Sequence, residues 1–438
     1  MSAGTIGVLG LVAMIVLMFL RIPLTFSFAL TGLVGLIFVK DLQTAVNVFS
    51  FMPYTWASGY MLACLPMFML LGLIISQGGI GQRLYSAAYK WVGRIPGALA
   101  LASLVAIALF SAVSGSALAS VATIAPIAYP EMRRFRYDQA LAAGAVAVGA
   151  TMDIMIPPSM AMIFYCMLSE ASIGKMFIAG FIPGALEVLF FYIAIYIMVK
   201  VKPSLAPLST DVFTFKEKMK ASKGVMPIFV IFVVIFGGIY GGIFTPTEAG
   251  AVGTIIAFIV VLGMRTIQKP GQTIMATLKE TVRLSGTMII IIIGVMIFNT
   301  FLAMSGVSAA ISKWVVSIGV TQTLFLAIVF AIYIPLGAIM DELSMIVLTV
   351  PFYMPAVQAL HIDLIWFGVL IILAWQLGFI LPPVGLLAFV TQKIVKEPTI
   401  GTVYKGCLPF AAALVLIAIL IILFPQIALI LPNMMSGR

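Results

Sequence analysis

Prolines and one acid recur along this chain at a fixed offset of 225 residues. The first copy reads Pro126, Pro130, Asp138 and Pro157-Pro158; the second reads Pro351, Pro355, Asp363 and Pro382-Pro383. Recurrence at one long period marks two related halves. Both copies lie in strongly apolar sequence, where a Pro-Pro pair interrupts a helix and frees backbone groups. Inside a bilayer such interruptions are tolerated only against protein or a water-filled cavity. Matched breaks in two halves are therefore a pointer to a binding site inside a membrane carrier.

Composition fixes the setting. The 438 residues are 63% hydrophobic and 9% charged, with a mean hydropathy of +1.23, well above the roughly 45–50% apolar usage of soluble domains. The chain reads as an all-α polytopic membrane protein. Segments near the ~20 residues needed to cross run over 3–20, 24–39, 55–76, 138–168, 173–200, 225–243, 247–264, 284–304, 363–393 and 403–424. Two of them, 138–168 and 363–393, contain the Pro-Pro breaks and read as discontinuous helices. Two further apolar stretches, 97–130 and 320–355, have small or acidic residues at their middle: Ser114-Gly115-Ser116 and Asp341-Glu342. Each half of such a stretch is short for a crossing, so both read as re-entrant hairpins, with two full crossings apiece as the alternative.

Positive charge tests this topology, because Lys and Arg accumulate on the cytoplasmic side. With the amino terminus on one side, that side receives only Lys40, Lys175, Lys313 and Arg438 of the 24 Lys and Arg, and the other side receives the remaining twenty. The amino terminus and carboxyl terminus are thus both expected outside the cytoplasm, and the net charge of +10 reflects orientation rather than a nucleic-acid partner. Five crossings plus a hairpin is an odd count, so the second half, 225–438, enters upside down relative to the first, 1–200. A polar linker, 201–224, joins them, and segments 77–94 and 265–283 read as helices lying in the membrane interface. Residues 1–20 lack the basic leader of a cleaved signal. Cys64, Cys166 and Cys407 sit in apolar segments without motif spacing and read as buried free thiols.

A broken helix supplies carbonyls and half-helix carboxyl ends for cations, and half-helix amino ends for anions. In the first half, the hairpin tip Ser114-Gly115-Ser116 should face Gly149, Thr151, Asp153, Pro157 and Ser159. Hydroxyl and carbonyl oxygens in that density suit a hard cation such as Na⁺. In the second half, Gly337, Met340, Asp341, Glu342 and Ser344 should meet Gly378, Pro382, Pro383 and Gly385. Cargo contacts are expected from Ser114, Gly115, Ser116, Asp153, Ser159, Asp341 and Glu342. Plainer readings stand beside these. Gly and Ser can serve close helix packing, Pro-Pro pairs can be kinks, and Asp341 and Glu342 can lie in an exposed loop. Asp153 and Glu187 can pair with polar neighbours inside the bundle. His361 reads as a loop residue and Glu248 as a helix cap.

At these residues the sequence resembles the large membrane subunit of tripartite ATP-independent periplasmic (TRAP) transporters. The matching stretches are Ser114-Gly115-Ser116 through Tyr137-Asp138, Ile156-Pro157-Pro158-Ser159 and Glu170-Ala171-Ser172-Ile173-Gly174-Lys175. In the second half they are Gly337 to Pro351, Ile365-Trp366-Phe367-Gly368-Val369 and Pro382-Pro383-Val384-Gly385-Leu386. The resemblance implies a Na⁺-driven importer of small organic anions in a bacterial inner membrane, with Na⁺ as coupling ion, no other cofactor and an elevator-type transport domain. It also implies two partners, a small four-helix membrane subunit and a periplasmic substrate-binding protein. The small subunit is expected as a separate chain, and the binding protein is expected to dock on the outer faces of the hairpins and on loops such as 41–54. Asp153 departs from the small or apolar residue expected at its place.

Other classes fit the residues poorly. A serine hydrolase needs a base, and the single histidine, His361, is remote in sequence from Ser114 and Ser116; no lysine lies at membrane depth for a Ser-Lys dyad. Haem ligation usually draws on several histidines. The nearest rival is a stand-alone Na⁺/dicarboxylate symporter of the same inverted-repeat plan.

Overall fold

A computed structural model describes residues 2–20, 22–207, 211–264 and 270–435. Arg21, Arg265, Lys269 and Arg438 of the charge count lie outside the described residues, as do parts of the 201–224 and 265–283 segments. Every regular element among the described residues is helical. Among the described residues eight helices are long and apolar enough to cross a membrane, or nine if the bent pair Phe215–Lys223 and Met226–Tyr240 is one span. Ala3–Phe19 and Leu24–Val39, at 17 and 16 residues, are shorter.

The first apolar stretch folds as Ala98–Ser114 and Ala117–Arg134, and the second as Gln322–Ile339 and Glu342–Ala359. The second arms run about four residues past the expected ends at 130 and 355; 18 residues reach about 27 Å. The prolines behave in two ways. Pro126 and Pro130 lie inside their helix, as do Pro351 and Pro355, so these four do not interrupt it. The Pro-Pro pairs do. Helices Gln139–Met155 and Met160–Ser169 flank the first, and Leu364–Ile380 and Leu386–Val395 flank the second. Both Pro-Pro peptide bonds are cis. The recurring acid is a helix cap in both halves: Asp138 accepts from the amides of Ala140 and Leu141, and Asp363 from those of Ile365 and Trp366. Glu248 closes a capping box with Thr245, as expected from the sequence.

Packing repeats the sequence symmetry. In each half the first hairpin arm lies along the helix that precedes the break. The second arm also packs on the half-helix that follows the break of the other half: Ala117–Arg134 on Leu386–Val395, and Glu342–Ala359 on Met160–Ser169. The two pre-break helices meet at the centre, buried from Leu141 to Met155 and from Ile365 to Ile380. Their predominantly apolar sequence, with little amphipathic alternation, is what a helix enclosed on all sides requires. Gly144 and Gly406 let Gln139–Met155 and Ile400–Leu423 touch backbone to backbone, the small-residue device of membrane helix packing.

Two expectations change. The described part of 265–283 is no separate interfacial helix; it continues into the crossing as one helix, Pro270–Ser305, of 36 residues, about 54 Å long. The 41–54 loop is mostly helix, Leu42–Ala57. A short helix, Val307–Ser317, packs on the second hairpin. The helix expected within 77–94 forms at Gly81–Val92, and helix Phe215–Lys223 of the linker lies against it, with the Trp91 indole N–H donating to Ser222 at 2.7 Å.

Candidate functional site

The two hairpin tips meet at one cavity of about 300 Å³. Ser114, Gly115, Ser116, Leu118 and Ala119 line it from the first hairpin, and Asp341, Glu342 and Leu343 from the second. Met160 and Leu386, the first residues after each break, close its sides. Met69 and Leu73 of helix Cys64–Gln77 and Leu284 and Met288 of the long helix form the remaining wall. Both tips end at this one cavity, while Gln322–Ile339 and Glu342–Ala359 are each long and apolar enough to cross a membrane.

Each tip is built by a cap. Ser116 accepts from the Ala119 amide at 3.4 Å, and Asp341 from the Ser344 amide at 3.1 Å and from the Ser344 hydroxyl. Gly115, at φ +61°, takes a turn conformation L side chains rarely adopt, and a Cβ there would come within 2.7 Å of the Pro158 carbonyl. The first tip therefore rests on the first break. In the second half the Ala338 carbonyl accepts from the amides of Val384 and Gly385 at 3.2 and 3.1 Å, so the second tip is tied to the second break. Gly337 and Gly378 cross so closely that a Cβ on Gly378 would lie 2.6 Å from the Gly337 Cα.

The breaks differ in exposure. Pro157, Pro158 and Ser159 are buried, whereas Pro382, Pro383 and Val384 are exposed. Asp153, 1% exposed, accepts from the Ser114 hydroxyl at 2.8 Å and from the Ser120 hydroxyl. It lies behind the first tip and binds hairpin to broken helix. Thr151 spends its hydroxyl on the Val148 carbonyl at 2.7 Å, and Gly149 faces Leu104 and Ile107 of the first hairpin arm. Ser159 heads helix Met160–Ser169 with its hydroxyl buried and without a partner. Met340 ends its helix in extended conformation, turning the chain into Asp341. Glu187 is wholly buried; Gln376 approaches it, yet no hydrogen bond closes between them.

Sequence reading missed Ser120 and the outer wall. Ser120 follows Ser116 by four residues and so lies one helical turn on, a spacing that was legible. Gly72 was not: it leaves room for the Ser114 carbonyl, a relationship between helices distant in sequence. Among the described residues no three His, Cys, Asp or Glu gather as a metal-binding cluster. The oxygens on offer are hydroxyls, carbonyls and single carboxylates, the hard donors that alkali cations accept.

Opposed hairpins, matched broken helices and a shared internal cavity define a membrane transporter of the inverted-repeat class. A family model described as "Tripartite ATP-independent periplasmic transporter, DctM component" matches residues 11–427, and the chain belongs to that family. The large permease protein DctM of a C4-dicarboxylate TRAP transporter from Pseudomonas aeruginosa is 35% identical over 380 residues, 85% of this chain and 86% of that one. The sialic acid permease protein SiaM of Vibrio cholerae is 29% identical, covering 96% and 97% of the two chains. The ectoine permease protein TeaC of Halomonas elongata is 31% identical, covering 85% and 86%. Among solved structures, the YdaH transporter of Alcanivorax borkumensis shares the fold, with a TM-score of 0.63 at 13% identity over 89% of this chain and 90% of that one. Family membership makes this a multi-pass transporter permease and implies a small membrane subunit and a periplasmic binding protein as partners.

Proposed function

We propose that the chain is the membrane subunit of a Na⁺-coupled importer that receives a small organic acid from a periplasmic binding protein. The observation that supports this best is the shared cavity. Its two tips come from opposite halves, and its outer wall comes from helices Cys64–Gln77 and Pro270–Ser305, which belong to neither hairpin nor broken helix. A bundle of hairpins and broken helices sliding past that wall would carry the cavity from one side to the other, an elevator motion. The oxygens of Ser114, Ser116, Gly149, Thr151 and Pro157 in one half, and of Gly337, Met340, Asp341, Gly378 and Pro382 in the other, are the candidate Na⁺ ligands. The relatives are named for a C4-dicarboxylate, sialic acid and ectoine, so membership leaves the cargo open within small organic acids.

The test is reconstitution. The chain in liposomes, with its small membrane subunit and a loaded periplasmic protein, should take up solute only along an inward Na⁺ gradient, and Ser116→Leu should weaken Na⁺ activation together with uptake. Robust uptake by the chain alone would replace this reading with a stand-alone symporter. Uptake indifferent to Na⁺ would remove the coupling.

A further inference from the structure

At the expected cytoplasmic surface the seam between the two halves carries cations above and apolar surface below. Helix Gly81–Val92 bears Arg83 and Lys90, and helix Phe215–Lys223, packed against it, bears Lys216, Lys218, Lys220 and Lys223. The acids nearby are engaged: Asp211 accepts from the Tyr89 hydroxyl at 2.8 Å, and Glu217 closes a capping box with Thr214. Among the described residues none of these cations forms an ion pair. Beneath them lies an open groove of about 330 Å³. Ala88 and Trp91 line it from the first of these helices, Val105 and Leu109 from the first hairpin arm, and Met226 and Phe229 from the crossing that follows the linker. The polar side chains on its wall, Trp91 and Ser222, are bonded to each other at 2.7 Å, so the groove asks nothing polar of an occupant.

Two cations border it. The Lys218 Nζ lies 5.8 Å from the centre of the Trp91 ring. The Arg83 stem runs beside Gly224, where a Cβ would lie 3.7 Å from its Cδ, and the next residue, Val225, is on the wall. Lys90 sits over Phe213 instead, at 6.0 Å. Lys216 and Lys220 leave their helix two residues either side of Lys218, about 200° round, and so face away from it. Val105 and Leu109 stand about 10 and 16 Å along the hairpin arm from its start at Ala98. The groove therefore runs from headgroup level into the hydrocarbon.

From this arrangement we propose that the groove holds an anionic phospholipid, its phosphate against Lys218 and Arg83 and an acyl chain against Leu109, Met226 and Phe229. Basic pockets between helices on the cytoplasmic side suit anionic headgroups. Trp91, 49% exposed, stands where interfacial aromatic rings gather. A protein helix filling the slot would have to place a carboxylate at its end to meet the two cations, whereas a phospholipid carries charge and tail in one molecule. The lipid fills the seam between the first hairpin arm and the first crossing of the second half. The proposal is independent of the carrier reading, since binding requires no movement of the hairpins.

The test follows Trp91 fluorescence. The full chain with its small subunit is placed in phosphatidylcholine nanodiscs containing increasing amounts of brominated phosphatidylglycerol or of brominated phosphatidylcholine. The Trp91 signal is taken as wild type minus Trp91→Phe. Half-maximal quenching should come at a mole fraction about tenfold lower for phosphatidylglycerol, the scale expected of two cations near an anionic headgroup. Lys218→Gln with Arg83→Gln should bring the two lipids together, and Lys218→Arg with Arg83→Lys should keep them apart. Lys216→Gln with Lys220→Gln removes as much charge from the other face and should leave the preference largely intact. Equal quenching of wild type by both lipids overturns the proposal. So does equal loss in the two glutamine pairs, which would make the attraction a diffuse surface field. Quenching in the chain alone that disappears in the complex would give the groove to the small subunit, and overturns it as well.

Discussion

Ser116 and Asp341, 225 residues apart, do the same job: each caps the second arm of its hairpin by accepting an amide three residues on. The repeat is thus conserved in backbone geometry while its chemistry has diverged, a hydroxyl on one tip and a carboxylate on the other. The cap and the charge of Asp341 are separable. Asp341→Asn keeps an acceptor at the N-cap and removes the charge, whereas Asp341→Ala removes both and should cost about 1 kcal/mol of stability. Thermal unfolding in detergent should therefore rank wild type and Asn together above Ala. Equal melting of Asn and Ala would mean the cap contributes nothing.

Gly406 approaches the backbone of Ala140 and Gly144, so a methyl group there must push two helices apart. Overpacking of that kind costs about 1–3 kcal/mol, and Gly406→Ala should lower the melting temperature. Gly401, earlier on the same helix, has nothing within 4 Å of a built Cβ. Gly401→Ala should be neutral or slightly stabilising, since Ala is the better helix former. The pair distinguishes a crowding effect from a general intolerance of substitution in Ile400–Leu423.

Glu187 is buried and its oxygens close no hydrogen bond, and a buried polar group left unsatisfied costs about 1–3 kcal/mol. Glu187→Met should raise the melting temperature, and Glu187→Gln should raise it less. A clear drop for Met would show that the carboxyl has a partner that stabilises the fold.

At the expected cytoplasmic surface Glu397 accepts from Arg133 at 2.9 Å and from Gln139 at 2.9 Å. The Arg133 guanidinium holds the Glu397 carboxyl below its ordinary value of 4.5. A carboxylate depressed in the folded state stabilises above its unfolded value and loses that contribution as pH falls through the folded one. The melting difference between wild type and Glu397→Gln should be widest near neutral pH and close as pH drops below 4.5. With Glu397 42% exposed, the effect should be small and weaken in salt. A difference that grows toward acid pH would contradict the assignment.

Topology is checked by labelling. Phe215→Cys and Met275→Cys, both on exposed positions, should react only with reagent supplied from the cytoplasm. Gln358→Cys, exposed in the last turn of the second hairpin, should react only from the opposite side. Cytoplasmic labelling at 358 would falsify the inverted entry of the second half.

The sequence alone determined the membrane setting, the two halves, the placement of both hairpins and both breaks, and the family, because each rests on local chemistry. Hydropathy sets what must be buried, and a Pro-Pro pair withholds amides whatever surrounds it. It did not separate Pro126 and Pro351, which sit inside helices, from the pairs that break them, since one proline is tolerated where neighbours compensate. Nor did it show that Asp153 is bound by Ser114 and Ser120, or that two expected cradles share one cavity. The first fact arises because the first hairpin lies along its own pre-break helix, and the second because each hairpin's second arm packs on the half-helix of the other half. Contact between residues some two hundred positions apart is decided by the packing of whole helices, and no local pattern in the chain encodes it.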